Sequence, residues 1–91
     1  MKYVYTAWLE DESVSAADPD REWPACFVVD GHSEESARRW GDYLAGKYVR
    51  THSLAFVRSV IEAVETSTLP GIGGLPVISE NQDASDDDIG W

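Results

Sequence analysis

The sequence has little of three things that would narrow its function: cysteine, basic residues and long apolar runs. Cys26 is the only cysteine among 91 residues, so no disulfide can form within the chain and a reducing compartment, the cytoplasm, is expected. Seven basic residues stand against 17 acidic ones, which gives a net charge of −10. Nucleic acids and anionic membrane surfaces are bound by basic footprints, so this charge balance predicts neither as a partner.

The apolar runs are also too short for a membrane protein. None approaches the roughly 20 residues that a membrane-spanning helix needs. Acidic residues begin at Glu10, too early for the apolar core of a secretory signal. No catalytic, metal-binding or nucleotide-binding motif stands out, so we expect a soluble cytoplasmic protein without a cofactor or a metal ion.

What the sequence does contain is enough apolar material for one folded domain. Hydrophobic residues make up 43% of the chain and aromatic residues 11%, which excludes a wholly disordered protein. The charge is uneven: residues 1–32 carry seven acids and two bases, residues 33–65 five of each, and residues 66–91 five acids and no base. A balanced middle therefore lies between two acidic segments.

Two strands are predicted in the first third of the chain. Residues 2–9 (KYVYTAWL) are rich in β-branched and aromatic residues, and both alternating faces are largely apolar, which is typical of a central strand. Residues 23–30 (WPACFVVD) form the second strand, in which Pro24 indicates a first position or an edge. Between them, residues 10–22 hold six acids and an Asp-Pro-Asp turn signal, which predicts a long acidic loop.

An amphipathic helix is predicted directly after the second strand. Ser33 is the expected N-cap, and two glutamates follow it in the first turn, where the helix dipole favours acids. Arg38, Arg39 and Asp42 are expected to be solvated, and Gly46 is a candidate helix end, with a further turn through Tyr48 as the alternative. The apolar stripe, at spacings of three and four residues, consists of Ala37, Trp40, Leu44 and Tyr48.

The remaining third is less regular. Residues 54–65 (LAFVRSVIEAVE) fit both a strand and a helix; their β-branched density favours the strand, and the helix stays open as an alternative. Residues 66–79 are rich in proline and glycine and allow at most a short edge strand at 75–79. Residues 80–91 form an acidic tail that is expected to be mobile.

Together these elements predict a single α+β domain over residues 1–65, with element order β-β-α-β. A strand–helix–strand crossover places its two strands parallel, and the first strand fits between them, antiparallel to both, in the order 2-1-3. This split βαβ arrangement resembles half of a ferredoxin-like fold in element order only. We expect a mainly antiparallel sheet of three to four strands, one amphipathic helix on one face and an acidic C-terminal tail.

The second face of such a sheet suggests an interaction. One helix covers one face, and monomers rarely leave a large apolar patch on the other exposed to water. The cover is expected from the C-terminal third of the chain or from a second copy in a homodimer. The candidate interaction residues are Tyr3, Tyr5, Trp8, Leu9 and Trp91.

Two other sets of residues are candidate sites. Backbone N–H groups at Gly31, His32 and Ser33 are placed to hold an anion at the helix N-terminus, although an ordinary cap explains the same residues. Cys26 is interpreted as a structural thiol in preference to a nucleophile activated by a histidine. A candidate acidic patch, without the spacing of a calcium-binding loop, consists of Glu10, Asp11, Glu12, Asp83, Asp86, Asp87 and Asp88.

We therefore predict a small acidic, non-enzymatic protein-interaction module whose partner is a second copy or another protein, with a basic protein as the narrower version. The alternative is a small dimeric ferredoxin-like enzyme or ligand-binding domain, with a pocket between helix and sheet or at the dimer seam.

Overall fold

The computed structural model describes residues 1–67, 71–85 and 89. It shows a small α+β domain with one helix and a four-stranded mixed sheet, which confirms the predicted class. The four strands and the helix are β1 (Lys2–Glu10), β2 (Glu22–Asp30), α1 (Glu34–His52), β3 (Ala55–Ala63) and β4 (Val77–Ser79).

The strands lie in the order β3-β1-β2-β4. β1 pairs antiparallel with both β2 and β3, as the crossover argument predicts. The complete order differs from the predicted 2-1-3, because β4 adds to the outer edge of β2 as a parallel strand and makes the sheet mixed. Residues 55–63 are a strand, so the helical alternative for this segment was wrong.

β1 occupies the centre because its side chains are apolar on both faces of the sheet. On the face below α1, Tyr5, Ala7 and Leu9 are completely buried. On the opposite face, hereafter the far face, Val4 is 2% exposed and lies beside Val28 of β2. A strand with apolar side chains on both faces is stabilised most at the centre of a sheet, where both of its faces are buried.

α1 begins as predicted and ends later than predicted. The Ser33 hydroxyl accepts a hydrogen bond from the Ser36 amide, and the Ser36 hydroxyl accepts one from the Ser33 amide, which forms a capping box. The helix continues through Gly46 to His52 and ends at Ser53, whose φ of 57° is left-handed. The predicted end at Gly46 was therefore wrong.

The buried face of α1 is rotated relative to the predicted apolar stripe. Trp40 and Tyr48 lie half-buried at its margins, and the small residues between the large ones face the sheet. The buried helix residues are Ala37, Gly41, Leu44, Ala45 and Val49.

Gly41 explains why small residues face the sheet. A Cβ atom at this position would lie 2.4 Å from Cδ2 of Tyr5, closer than any real contact, so the helix backbone rests directly on the Tyr5 ring. The ring in turn packs on Phe27 of β2, with 5.0 Å between ring centroids. Glycine weakens a helix interior, and here the close packing of helix on strand offsets that cost.

Described parts of the C-terminal third lie on both sides of the sheet. Val64, Gly73 and Leu75 line a cleft with Val28 on the far face. The Val28 amide donates to the Pro76 carbonyl at 2.9 Å at the edge of β2, where β4 pairs. After β4 the chain returns to the helix side, where Ala84 and Ile89 are buried in the same apolar cluster as Leu44. These buried side chains give the acidic segment apolar contacts that a fully solvated tail would lack.

The contact at Gly41 yields a test. We expect Gly41→Ala to destabilise the fold by about 1–3 kcal/mol, although alanine is the better helix former, because the added methyl group overpacks Tyr5. The matched control is Gly46→Ala, whose Cβ meets only the flexible end of Arg50 at 3.3 Å and should leave stability unchanged or raise it by up to about 1 kcal/mol. Urea unfolding measures both, and equal effects would contradict the close approach.

Candidate functional site

The predicted interaction residues do not share one surface. Tyr3, Tyr5 and Leu9 are at most 5% exposed and belong to the core below α1, so they offer no area to a partner. Trp8 lies on the far face, half-buried, with the Arg58 guanidinium 4.7 Å from its ring centre. Trp91 lies outside the described residues.

The Tyr5 hydroxyl group reaches from the core to the helix. It donates a 2.7 Å hydrogen bond to Oδ1 of Asp42, and Arg38 donates to the hydroxyl and the carbonyl of the buried Ser59 on β3. Arg38 is exposed, as predicted, and also binds β3; Asp42 is half-buried and binds Tyr5, so the prediction that it is solvated was wrong. Burial, strengthened by the hydrogen bond to Asp42, raises the pKa of the Tyr5 phenol far above its ordinary value.

The candidate anion site at the start of α1 is occupied by the chain itself. The His32 amide donates a 2.9 Å hydrogen bond to the Glu80 carboxylate, which follows β4. This bond, with a second one from Ser36, holds the pKa of Glu80 below its usual range. Gly31 is buried, and its amide donates to the Met1 carbonyl. The helix N-terminus therefore fixes the C-terminal segment, and an external anion would have to displace Glu80.

The candidate acidic patch is largely engaged in internal contacts. Glu10 pairs with Arg21 at 2.9 Å, and Asp83 pairs with Lys47 at 2.6 Å. The pKa of Asp11 is lowered by hydrogen bonds from Ser13. Of the remaining candidates Glu12 is exposed, and residues 86–88 lie outside the described part of the chain.

Cys26 is a half-buried residue of β2. It points to the far face, since it opposes Thr6 on β1, and its sulfur lies 3.4 Å from the Thr6 hydroxyl. His52 stacks on Tyr48 at the end of α1, on the other side of the sheet. The sheet therefore separates this cysteine from the histidine at the helix end.

Two shallow clefts are found on the described surface. One, of about 250 Å³, lies between α1 and the turn after β4, where Trp40 and Tyr43 stack with 4.8 Å between ring centroids and Glu80 forms the opposite side. The other, of about 210 Å³, lies on the far face between Val28, Leu75 and Val77.

The feature that sequence reasoning missed is the outer edge of β3, hereafter the β3 edge. Among the described residues, β3 pairs with β1 and with no other strand. Phe56, Val57 and Val60 on this strand are 37–42% exposed. The signal was present in the predicted strand order itself, because the order 2-1-3 already places the third strand at an edge.

Comparisons with protein-family models, with curated proteins and with solved structures find no match to this chain. In the part of the chain that the structure describes, no group of three or more histidine, cysteine or acidic side chains is placed to hold a metal ion. Neither α1 nor any other described helical segment is long and apolar enough to cross a membrane. The function must therefore be argued from the surface geometry.

The Tyr5 environment predicts a dependence of stability on pH. At neutral pH, Tyr5→Phe should cost about 1–2 kcal/mol, because half-buried Asp42 loses its hydrogen bond. The folded state keeps the Tyr5 proton, whereas the unfolded state releases it near pH 10. The stabilisation is therefore complete below pH 10 and is lost above it, so the difference between wild type and variant should shrink by about 1.4 kcal/mol per pH unit.

Urea unfolding between pH 7 and pH 11 measures this difference. Tyr43→Phe is the matched control, since the Tyr43 ring is about half exposed. A wild-type advantage over Tyr5→Phe that stays constant through pH 11 would contradict the buried phenol.

Proposed function

We propose that this chain is a small, non-enzymatic protein-interaction module of the cytoplasm that binds a protein through the β3 edge. The observation that carries the proposal is a nine-residue strand, Ala55–Ala63, without a neighbour on its outer side among the described residues. Every second residue of such a strand directs its N–H and C=O groups outward, which forms a template for another strand.

The composition of β3 supports the proposal. Natural edge strands are protected by lysine, proline, bulges or charges that point inward. Between Arg58 and Ala63, β3 has no proline, glycine or lysine, and its one irregularity lies earlier, opposite Trp8 and Leu9. By contrast, the part of β2 that β4 does not reach contains Pro24, which removes a donor. The other outer strand, β4, has only three residues, so β3 offers the longer edge for pairing; Arg38 bonds to one of its carbonyl groups, at Ser59.

The exposed side chains add apolar area to the backbone groups. Phe56, Val57 and Val60 are each more than one third exposed, and a pairing strand would shield them. Strand addition draws affinity from main-chain hydrogen bonds and specificity from alternate side chains. Both components are present on β3.

The acidic surplus favours a basic protein as a partner of this module. The net charge of −10 attracts a basic surface at long range, although Glu10 and Asp83 are already paired within the chain. The charge therefore contributes to the rate of encounter more than to direct contacts, and such an interaction weakens with added salt.

A ligand-binding domain is the second candidate, and the cleft beside α1 favours it. The stacked pair Trp40 and Tyr43, opposite the Glu80 carboxylate, offers an aromatic wall and a charged group to a small molecule. Ligand-dependent shifts in melting temperature across a metabolite panel would favour this candidate over the interaction module.

Substitution of one valine on each outer strand tests the proposal. Val60→Lys places a charge on the β3 edge, whereas Val77→Lys makes the same change at a valine of β4 that is 50% exposed. We expect Val60→Lys to abolish specific capture of protein partners from the native lysate and Val77→Lys to preserve it, because only the first changes the β3 edge. Quantitative mass spectrometry of the captured proteins is the measurement.

Capture that survives Val60→Lys would contradict the proposal. A wild-type chain that neither captures a protein nor associates with itself would also contradict it. Circular dichroism of both variants establishes that each is folded before the comparison.

A further inference from the structure

We infer that the β3 edge binds the β3 edge of a second copy of this chain, in a two-fold antiparallel register that places Val60 opposite the partner's Val60 and Arg58 opposite the partner's Glu62. The inference rests on the proposed function, because it names the partner and the register of the same edge. It depends on the order of side chains along β3 and on their charges.

Symmetry restricts the registers that are available. In an antiparallel pair, directly opposed residues point to the same face of the sheet, so the two-fold axis must pass beside a single residue of β3. An axis at Arg58 opposes two arginines, and an axis at Glu62 opposes two glutamates; both are unfavourable. An axis at Ser59 opposes Arg58 to Val60 and Glu62 to Phe56, and an axis at Ile61 opposes Glu62 to Val60.

Only the axis at Val60 pairs opposite charges. Arg58 and Glu62 lie two residues before and two residues after it, on the same far face. Each copy therefore contributes one arginine and one glutamate. Two Arg–Glu pairs form, one on each side of a Val60–Val60 contact. The register is therefore self-complementary in charge.

The environments of the two charged residues are compatible with this pairing. Glu62 is exposed and has no ionic partner among the described residues. Arg58 lies over Trp8, and its contact with Glu22 is long, at 3.7 Å, with the Arg58 side chain 55% exposed. A guanidinium group has five N–H donors, so Arg58 retains donors for a second carboxylate.

The two single reversals and their combination test the charge pairing. Glu62→Arg opposes two bases across the interface, and Arg58→Glu opposes two acids. We expect each to weaken self-association at least tenfold and the double variant Arg58→Glu/Glu62→Arg to restore it. Glu65→Arg makes the same charge change just beyond the strand, where the register predicts no opposing charge, and should have no effect.

The register itself is tested by a disulfide on the axis. In a Cys26→Ser background, Val60→Cys should form an intermolecular disulfide under mild oxidation, because directly opposed residues lie within disulfide range. Glu62→Cys is the matched control: in this register the two substituted residues are about 13 Å apart along the strands and should not crosslink.

Sedimentation equilibrium between about 1 μM and about 1 mM covers the range in which a small strand-edge interface dissociates. Concentration-dependent dimers that are lost in both single variants and restored in the double variant support the inference. Dimers that are indifferent to both reversals, or Glu62→Cys crosslinking as fast as Val60→Cys, overturn it.

A wild-type chain that is monomeric throughout this range also overturns the inference. If capture of another protein still depends on Val60, the interaction module stands with a different partner. If neither self-association nor Val60-dependent capture is found, the proposed function fails with it.

Discussion

The absence of a side chain at Gly41 fixes how the helix lies on the sheet. Because the backbone of α1 rests directly on the Tyr5 ring, the helix packs over β1 and β3, and the Tyr5 hydroxyl comes within 2.7 Å of Asp42. Beside the helix, toward β2 and β4, the core is completed by Ile78, Ala84 and Ile89 from the C-terminal segment. One close contact thus determines what the rest of the chain must cover.

The same placement determines which polar groups remain available. The N-terminus of α1 binds Glu80, Lys47 binds Asp83, and Arg21 binds Glu10, so several charges that stand out in the sequence serve to hold segments together. Such contacts bring together residues far apart in the chain. They reduce the list of candidate binding surfaces, and they leave the outer side of β3 as the longest strand edge without a paired strand among the described residues, where Arg38 donates to the Ser59 carbonyl.

Local patterns predicted the elements well because they depend on neighbouring residues. The period of the apolar residues located β1 and β2, the Ser33 cap located the start of α1, and the two apolar faces of β1 indicated the central position. The parallel addition of β4 could not be derived, since three residues carry too little pattern to choose an edge. The roles of Arg38 and Asp42 depend on Ser59 and Tyr5, partners that sequence spacing does not reveal.

The central claim is that the outer side of β3 is open to a partner, and hydrogen–deuterium exchange resolved to single amides tests it most directly. In dilute solution, the amides of β1 should be protected along the whole strand, because β1 pairs on both sides. Alternate amides of β3 between Arg58 and Ala63 should exchange rapidly, since they point away from β1. If all of these β3 amides are protected as strongly as those of β1 at high dilution, another segment of the chain covers the edge and the account is contradicted.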